Sequence, residues 1–113
     1  MTTIPREGKL LRIFLGESER HGHQPAWQAI VELARREGLA GATVLRGLAG
    51  FGRSSRLHTA SVLRLSQDLP IVVEIVDSSE RIDALLPKLE PLLGGCLVTL
   101  ERAEVLAYRS KGE

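Results

Sequence analysis

The order of apolar runs in this chain predicts an α+β fold of βαββαβ order, a ferredoxin-like sandwich with two helices on one face of a four-stranded antiparallel sheet. Three observations lead there. Four short apolar runs have the length and bounding glycines of strands, and two stretches between them repeat apolar residues at the helical period. The two strand-helix-strand units follow one another through an irregular stretch, which is the split βαβ pattern.

Gly8-Lys9-Leu10-Leu11-Arg12-Ile13-Phe14-Leu15-Gly16 is the first such run and reads as a mostly buried strand. Pro25 then stands where a first helical residue loses nothing by lacking an N–H. Trp27, Ile30, Val31 and Ala34 follow at i, i+3, i+4 and i+7, Arg35 and Arg36 suit the negative end of the helix dipole, and Gly38 is a stop. Ala42 to Ala49 supplies a second strand running into glycines, and residues 53–67 read as a loop with some extended character. Leu69 to Asp77 is the clearest strand, and Asp77-x-x-Glu80 has the spacing of a capping box. Ile82, Leu85, Leu86, Leu89, Leu92 and Leu93 stripe the helix it opens, with Pro87 inside predicting a kink or early break. Gly94 and Gly95 end it, and the last strand, Leu97 to Tyr108, is long enough to bend near Glu101-Arg102-Ala103.

A length of 113 residues fits one domain over the whole chain, with flexible ends at 1–7 and 110–113. At 43% hydrophobic and 26% charged residues the composition is globular. No apolar run approaches the roughly 20 residues of a membrane span, and the start lacks a signal-peptide core, so a cytoplasmic location is expected. Cys96 is the single cysteine, which excludes an internal disulfide and a thiolate zinc site and leaves a small buried residue. One Trp, one Tyr and two Phe, with Trp27 and Phe14 placed in the core, give no stacking platform for RNA, so no nucleic-acid partner is expected. The strands carry the strongest demand for a partner. Ile71, Val73 and Ile75 alternate with Val72 and Val76, interrupted only by Glu74, and the first strand is likewise apolar on both sides. A chain this short cannot cover a second apolar face, so another subunit is expected there.

Between Glu37 and Asp68 there is no acidic residue, while Arg46, Arg53, Arg56 and Arg64 lie inside that stretch. It therefore holds +4 with His58 neutral, and the rest of the chain holds +1 less +4, or −3. Within it, Gly50-Phe51-Gly52-Arg53 has the makings of an anion site: glycines let backbone N–H groups converge, through positive φ where needed, and Arg53 offers a fork of donors. The same glycines would equally mark a bulge where the strand turns into the loop, and the residues alone leave both readings open. The segment is neither a Walker A loop nor a dinucleotide fingerprint, lacking the Lys-Ser/Thr end of the one and the spacing of the other. His21-Gly22-His23 has no obvious third ligand and reads as a surface turn, so no metal is expected. No Ser/His/Asp or Cys/His constellation can be assembled, so the chain is not expected to be an enzyme.

The stretch from Gly38 to Arg53 resembles the second strand and loop entrance of PII signalling proteins. From Leu11 to Arg109 the chain is more closely similar to the PII-like family known as domain of unknown function 190, in Gly16-Glu17-Ser18, Gly41-Ala42-Thr43-Val44, Asp68-Leu69-Pro70 and Leu97-Val98-Thr99-Leu100-Glu101. The resemblance implies a homotrimer that senses a small anionic metabolite, an adenine nucleotide among the candidates, in clefts between subunits, with no required cofactor. It places Gly50, Phe51, Gly52 and Arg53 at the ligand, with Arg109 reaching them from the last strand of the same or a neighbouring subunit. It gives the loop residues Ser54, Ser55, Arg56 and His58 to a regulated partner, a membrane transporter by analogy. The chain departs from PII in having Ser54 where those proteins have a metal-binding glutamine, and no tyrosine in its short loop, so uridylylation is not implied. Leu93-Gly94-Gly95-Cys96 replaces a Gly-Asp-Gly-Lys turn, and Ala107 replaces one of two arginines. The alternatives are an interaction adaptor without a ligand and an amino-acid-binding module resembling ACT domains.

Overall fold

The computed structural model describes residues 4–52, 57–59 and 68–110. Six elements make its frame: β1 (Glu7–Gly16), α1 (Ala26–Arg36), β2 (Thr43–Arg46), β3 (Pro70–Ser78), α2 (Ser79–Leu89) and β4 (Leu97–Glu104). The strands form one antiparallel sheet in the order β2-β3-β1-β4, the ferredoxin-like arrangement. Two-residue ribbons join Arg20–His21 to Gln24–Pro25 and Ala49–Gly50 to His58–Thr59. Among the described residues no helix is long and apolar enough to cross a membrane.

One face of the sheet is closed. Leu11, Ile13 and Leu15 of β1 and Ile71, Val73 and Ile75 of β3 alternate inward and pack with Ile30, Leu33 and Ala34 of α1 and Ile82, Leu85 and Leu89 of α2. The buried stripe of α1 is Ala26, Ala29, Ile30, Leu33 and Ala34, so Trp27 sits at the margin of the core and is only partly buried. Gly38, at φ +80°, ends α1 as a Schellman motif: its N–H donates to Arg35 O at 3.1 Å, and Leu39 N–H donates to Ala34 O at 3.1 Å.

Three expectations are corrected. The cap of α2 is Ser78, whose hydroxyl accepts from Arg81 N–H at 3.2 Å, while Asp77 is withdrawn into the core. Pro87 lies two residues before the end of α2 at Leu89, after which the chain tightens into a 3₁₀ turn at Glu90–Leu92, so the α-helix stops short of the Leu92 and Leu93 of its apolar stripe. The last strand stops at Glu104 with an unbroken ladder to β1 through Glu101, Arg102 and Ala103, so it leaves the sheet where a bend was expected to continue it. Phe14 lies on the face away from the helices, because its strand parity is that of Leu10 and Arg12 rather than Ile13.

That second face carries rows set by the register. Leu45, Val72, Phe14 and Leu97 form an apolar row, beside a polar one of Thr43, Glu74, Arg12 and Thr99. Arg12 donates to Glu74 at 2.8 Å and to Glu101, and the bond to Glu74 is the main reason its guanidinium holds its proton even more firmly than usual.

Candidate functional site

β2 was expected to run to Ala49 and ends at Arg46, for a reason that lies in Pro70. Gly47 N–H donates to Pro70 O at 2.7 Å, but proline has no N–H with which to return the second bond of the pair. The ladder therefore stops and the chain leaves β3, re-pairing at Ala49–Gly50 with His58–Thr59.

The glycines of this exit differ from one another. A Cβ on Gly47 would stand 2.9 Å from Pro70 Cγ, and one on Gly50 would stand 3.2 Å from it, so both are glycine because the backbone lies against the proline ring. Among the described residues, a Cβ on Gly52 would meet nothing within 4 Å. The positive φ expected of this cluster is absent at Gly50 and Gly52; among the described glycines it occurs at Gly22, Gly38 and Gly94. Phe51, between Gly50 and Gly52, is 70% exposed. Arg53, Ser54, Ser55 and Arg56 lie outside the described residues, and His58 is placed by its backbone in the ribbon.

Other side chains gather at this end of the sheet. Arg46 pairs with Glu17 at 2.9 Å, so the acid-free stretch of sequence receives a carboxylate from across the fold. Asp68 Oδ1 accepts from Ser18 N–H at 2.9 Å and occupies the space a Cβ on Gly16 would need. In the turn before β4, Gly94 leaves room for the Glu19 carboxylate, whose oxygen lies 3.0 Å from where a Cβ would be. Cys96 beside it is half-buried, and burial, aided by Glu19, pushes its thiol up to about 11, so it stays protonated at neutral pH.

Arg109 stands elsewhere. The segment after β4 is tied by Val105 N–H to Arg6 O at 2.7 Å and by Tyr108 OH to Ala40 O at 2.7 Å. Ala40 N–H in turn donates to the buried Asp77 at 2.9 Å, at the far end of β3 from Pro70. Seven residues of strand at about 3.3 Å each separate those ends by about 23 Å, so within one chain Arg109 does not join Gly50 and Gly52. The shallow hollows flanking the α1–β2 turn, lined on one side by Gly38, Leu39, Arg81 and Leu85 and on the other by Val31, Arg35 and Gly41, are also at that end.

Sequence reasoning missed Pro70 and Asp77 as organisers. Pro70 was legible in principle, since a proline inside a strand pattern marks a place where a ladder bond is lost.

A model of the family DUF190, described as uncharacterized ACR, matches residues 8–105. A UPF0166 protein of Aquifex aeolicus is 40% identical over 98 residues, covering 87% of this chain and 92% of the relative. A UPF0166 protein of Methanocaldococcus jannaschii is 36% identical over 83 residues, covering 74% and 76%. Among solved structures, CPII of Thiomonas intermedia K12, a nitrogen regulatory PII-like protein bound to ADP, AMP and bicarbonate, is 20% identical with a TM-score of 0.66 over 88% of each chain. A protein of Thermus thermophilus named as PII-like and signalling is 19% identical with a TM-score of 0.63, covering 91% and 93%. At these identities the structural likeness establishes the PII-like fold.

Proposed function

This chain belongs to the DUF190 family and has the PII-like fold, and from that premise we propose that it is a regulatory sensor of a small anionic metabolite, not an enzyme. The observation that carries the reading is Gly52, the glycine of the Gly50-Phe51-Gly52-Arg53 segment whose missing side chain no described residue requires. A ligand that approaches the backbone there supplies the reason. Gly50, Phe51, Gly52 and Arg53 form one wall of the site. Arg109, which follows the Tyr108 held at the opposite end of β3, comes from a neighbouring copy, so the site lies in clefts of a homotrimer. The apolar row of Leu45, Val72, Phe14 and Leu97 supports assembly, because a second copy removes it from water. Ser54, Ser55, Arg56 and His58 then face a regulated partner.

The competing reading is an adaptor without a ligand, and it draws on Gly47 and Gly50, which Pro70 accounts for by packing alone. A thermal-shift panel decides between them, with ADP, AMP and bicarbonate chosen because CPII was solved with them. A probe at 100 times its Kd raises stability by about 2.7 kcal/mol, and Arg53→Ala weakens that binding by roughly 1.5–3 kcal/mol with the fold intact. No shift with any probe gives the function to the adaptor.

A further inference from the structure

The hollow between the end of α1 and the first turns of α2 stands at the opposite end of β3 from Gly50 and Gly52, and the sensor reading leaves it without a role. It is lined by Glu37, Gly38, Leu39, Arg81, Ala84 and Leu85 and has a volume of about 400 Å³, within the roughly 300–1,000 Å³ of small-molecule sites. Leu85 is buried and Leu39 packs against the core, so part of its surface is apolar. Its two charged residues are unequal. Lys88 takes the Glu37 carboxylate at 2.5 Å, whereas among the described residues no carboxylate pairs with Arg81. Arg81 donates through Nη1 to the Gly38 carbonyl at 2.6 Å, which fixes the guanidinium at that wall. A guanidinium has five N–H groups, so closing the end of α1 uses a part of what Arg81 offers. It explains neither the remaining donors nor the apolar surface beside them.

We propose that this hollow binds a small monocarboxylate with an apolar body, the carboxylate accepting from Arg81 and the body lying on Leu39, Ala84 and Leu85. One uncompensated positive charge among the lining residues matches one negative charge on the ligand, and a planar fork of donors suits a carboxylate. The opposite wall is ready before the ligand arrives, because Asp77 and Tyr108 hold Ala40 next to Leu39, and a wall already fixed spares the ligand the cost of ordering it. The site does not rest on the sensor reading, since it shares no residue with the Gly50-Phe51-Gly52-Arg53 segment.

The test titrates the full chain with phenylacetate, and in parallel with its uncharged amide, while amide resonances are followed by NMR. The expected result is saturable shifts at Gly38, Leu39 and Ala84, with the carboxylate bound about tenfold or more tightly than the amide, the effect of one charge-assisted contact. Ala84→Leu puts a larger side chain into the hollow at an exposed position of α2 and leaves the Arg81–Gly38 bond alone. That variant keeps its thermal midpoint and loses the saturable shifts. Arg81→Lys keeps the charge, gives up the fork and weakens phenylacetate about tenfold. Three results overturn the proposal: no saturable shift, equal binding of acid and amide, or binding that Ala84→Leu leaves unchanged. Shifts confined to Gly50 and Gly52 overturn it too and assign the carboxylate to the other end of the molecule, where they favour the sensor reading.

Discussion

The two glycine-bearing connections of this molecule, Gly38 to Gly41 after α1 and Gly47 to Gly52 after β2, look alike in sequence and are held in opposite ways. The first is fixed from three directions. Asp77 takes the Ala40 N–H at 2.9 Å, Tyr108 donates to the Ala40 carbonyl at 2.7 Å, and Arg81 donates to the Gly38 carbonyl at 2.6 Å. The second has a backbone bond from Gly47 to Pro70 and a proline ring to lie against, and past Gly50 the described residues Phe51, Gly52 and Leu57 are exposed. A turn fixed by side chains is committed to the fold. Among the described residues, one held by a single backbone bond and a proline ring keeps its surface for something else, and that contrast is why the second connection is the candidate site.

Substitutions at the two connections test the contrast, and the largest effect belongs to the first. Asp77→Ala leaves the N–H groups of Ala40 and Ser78 without the carboxylate that accepts from them in the core. Urea unfolding is expected to report a loss of about 2–4 kcal/mol, since each orphaned buried donor costs about 1–3 kcal/mol. A loss below about 1 kcal/mol would make the first turn as loosely held as the second. Gly47→Val comes next: its Cβ would press on Pro70, and overpacking of this kind costs about 1–3 kcal/mol. If the measured change is negligible, the proline ring does not define the exit of β2. Gly52→Ala is the smallest, within about 0.5 kcal/mol of the parent in either direction, because its Cβ meets none of the described residues and its φ is not positive. The sensor reading expects that same variant to bind ADP more weakly, so stability and binding separate at this one residue.

Much of the fold was legible because periodicity is a local signal. The apolar alternation of residues 71–76 placed β3, and the stripe through Ile82, Leu85 and Leu89 placed α2. What failed depended on partners far along the chain. Asp77 at capping-box spacing was read as a cap, but the amide that claims its carboxylate belongs to Ala40, thirty-seven residues earlier. Phe14 went to the core by composition, yet strand parity turns it to the other face, and only the register with Val72 and Leu97 tells which face that is. The charge of the acid-free stretch was overstated for the same reason, since Glu17 reaches Arg46 across the sheet. At the site, sequence marked the segment but could not sort its glycines, because Gly47, Gly50 and Gly52 differ only in what stands opposite them.

Pro70 has a mechanical consequence as well. By ending the β2–β3 ladder at a fixed residue, it separates the four-stranded sheet from the ribbon of Ala49–Gly50 with His58–Thr59, which shares no ladder hydrogen bond with that sheet. A change of pairing within the ribbon therefore leaves the sheet's own ladder intact, and the ring of Pro70, against which Gly47 and Gly50 lie, is the joint between the two.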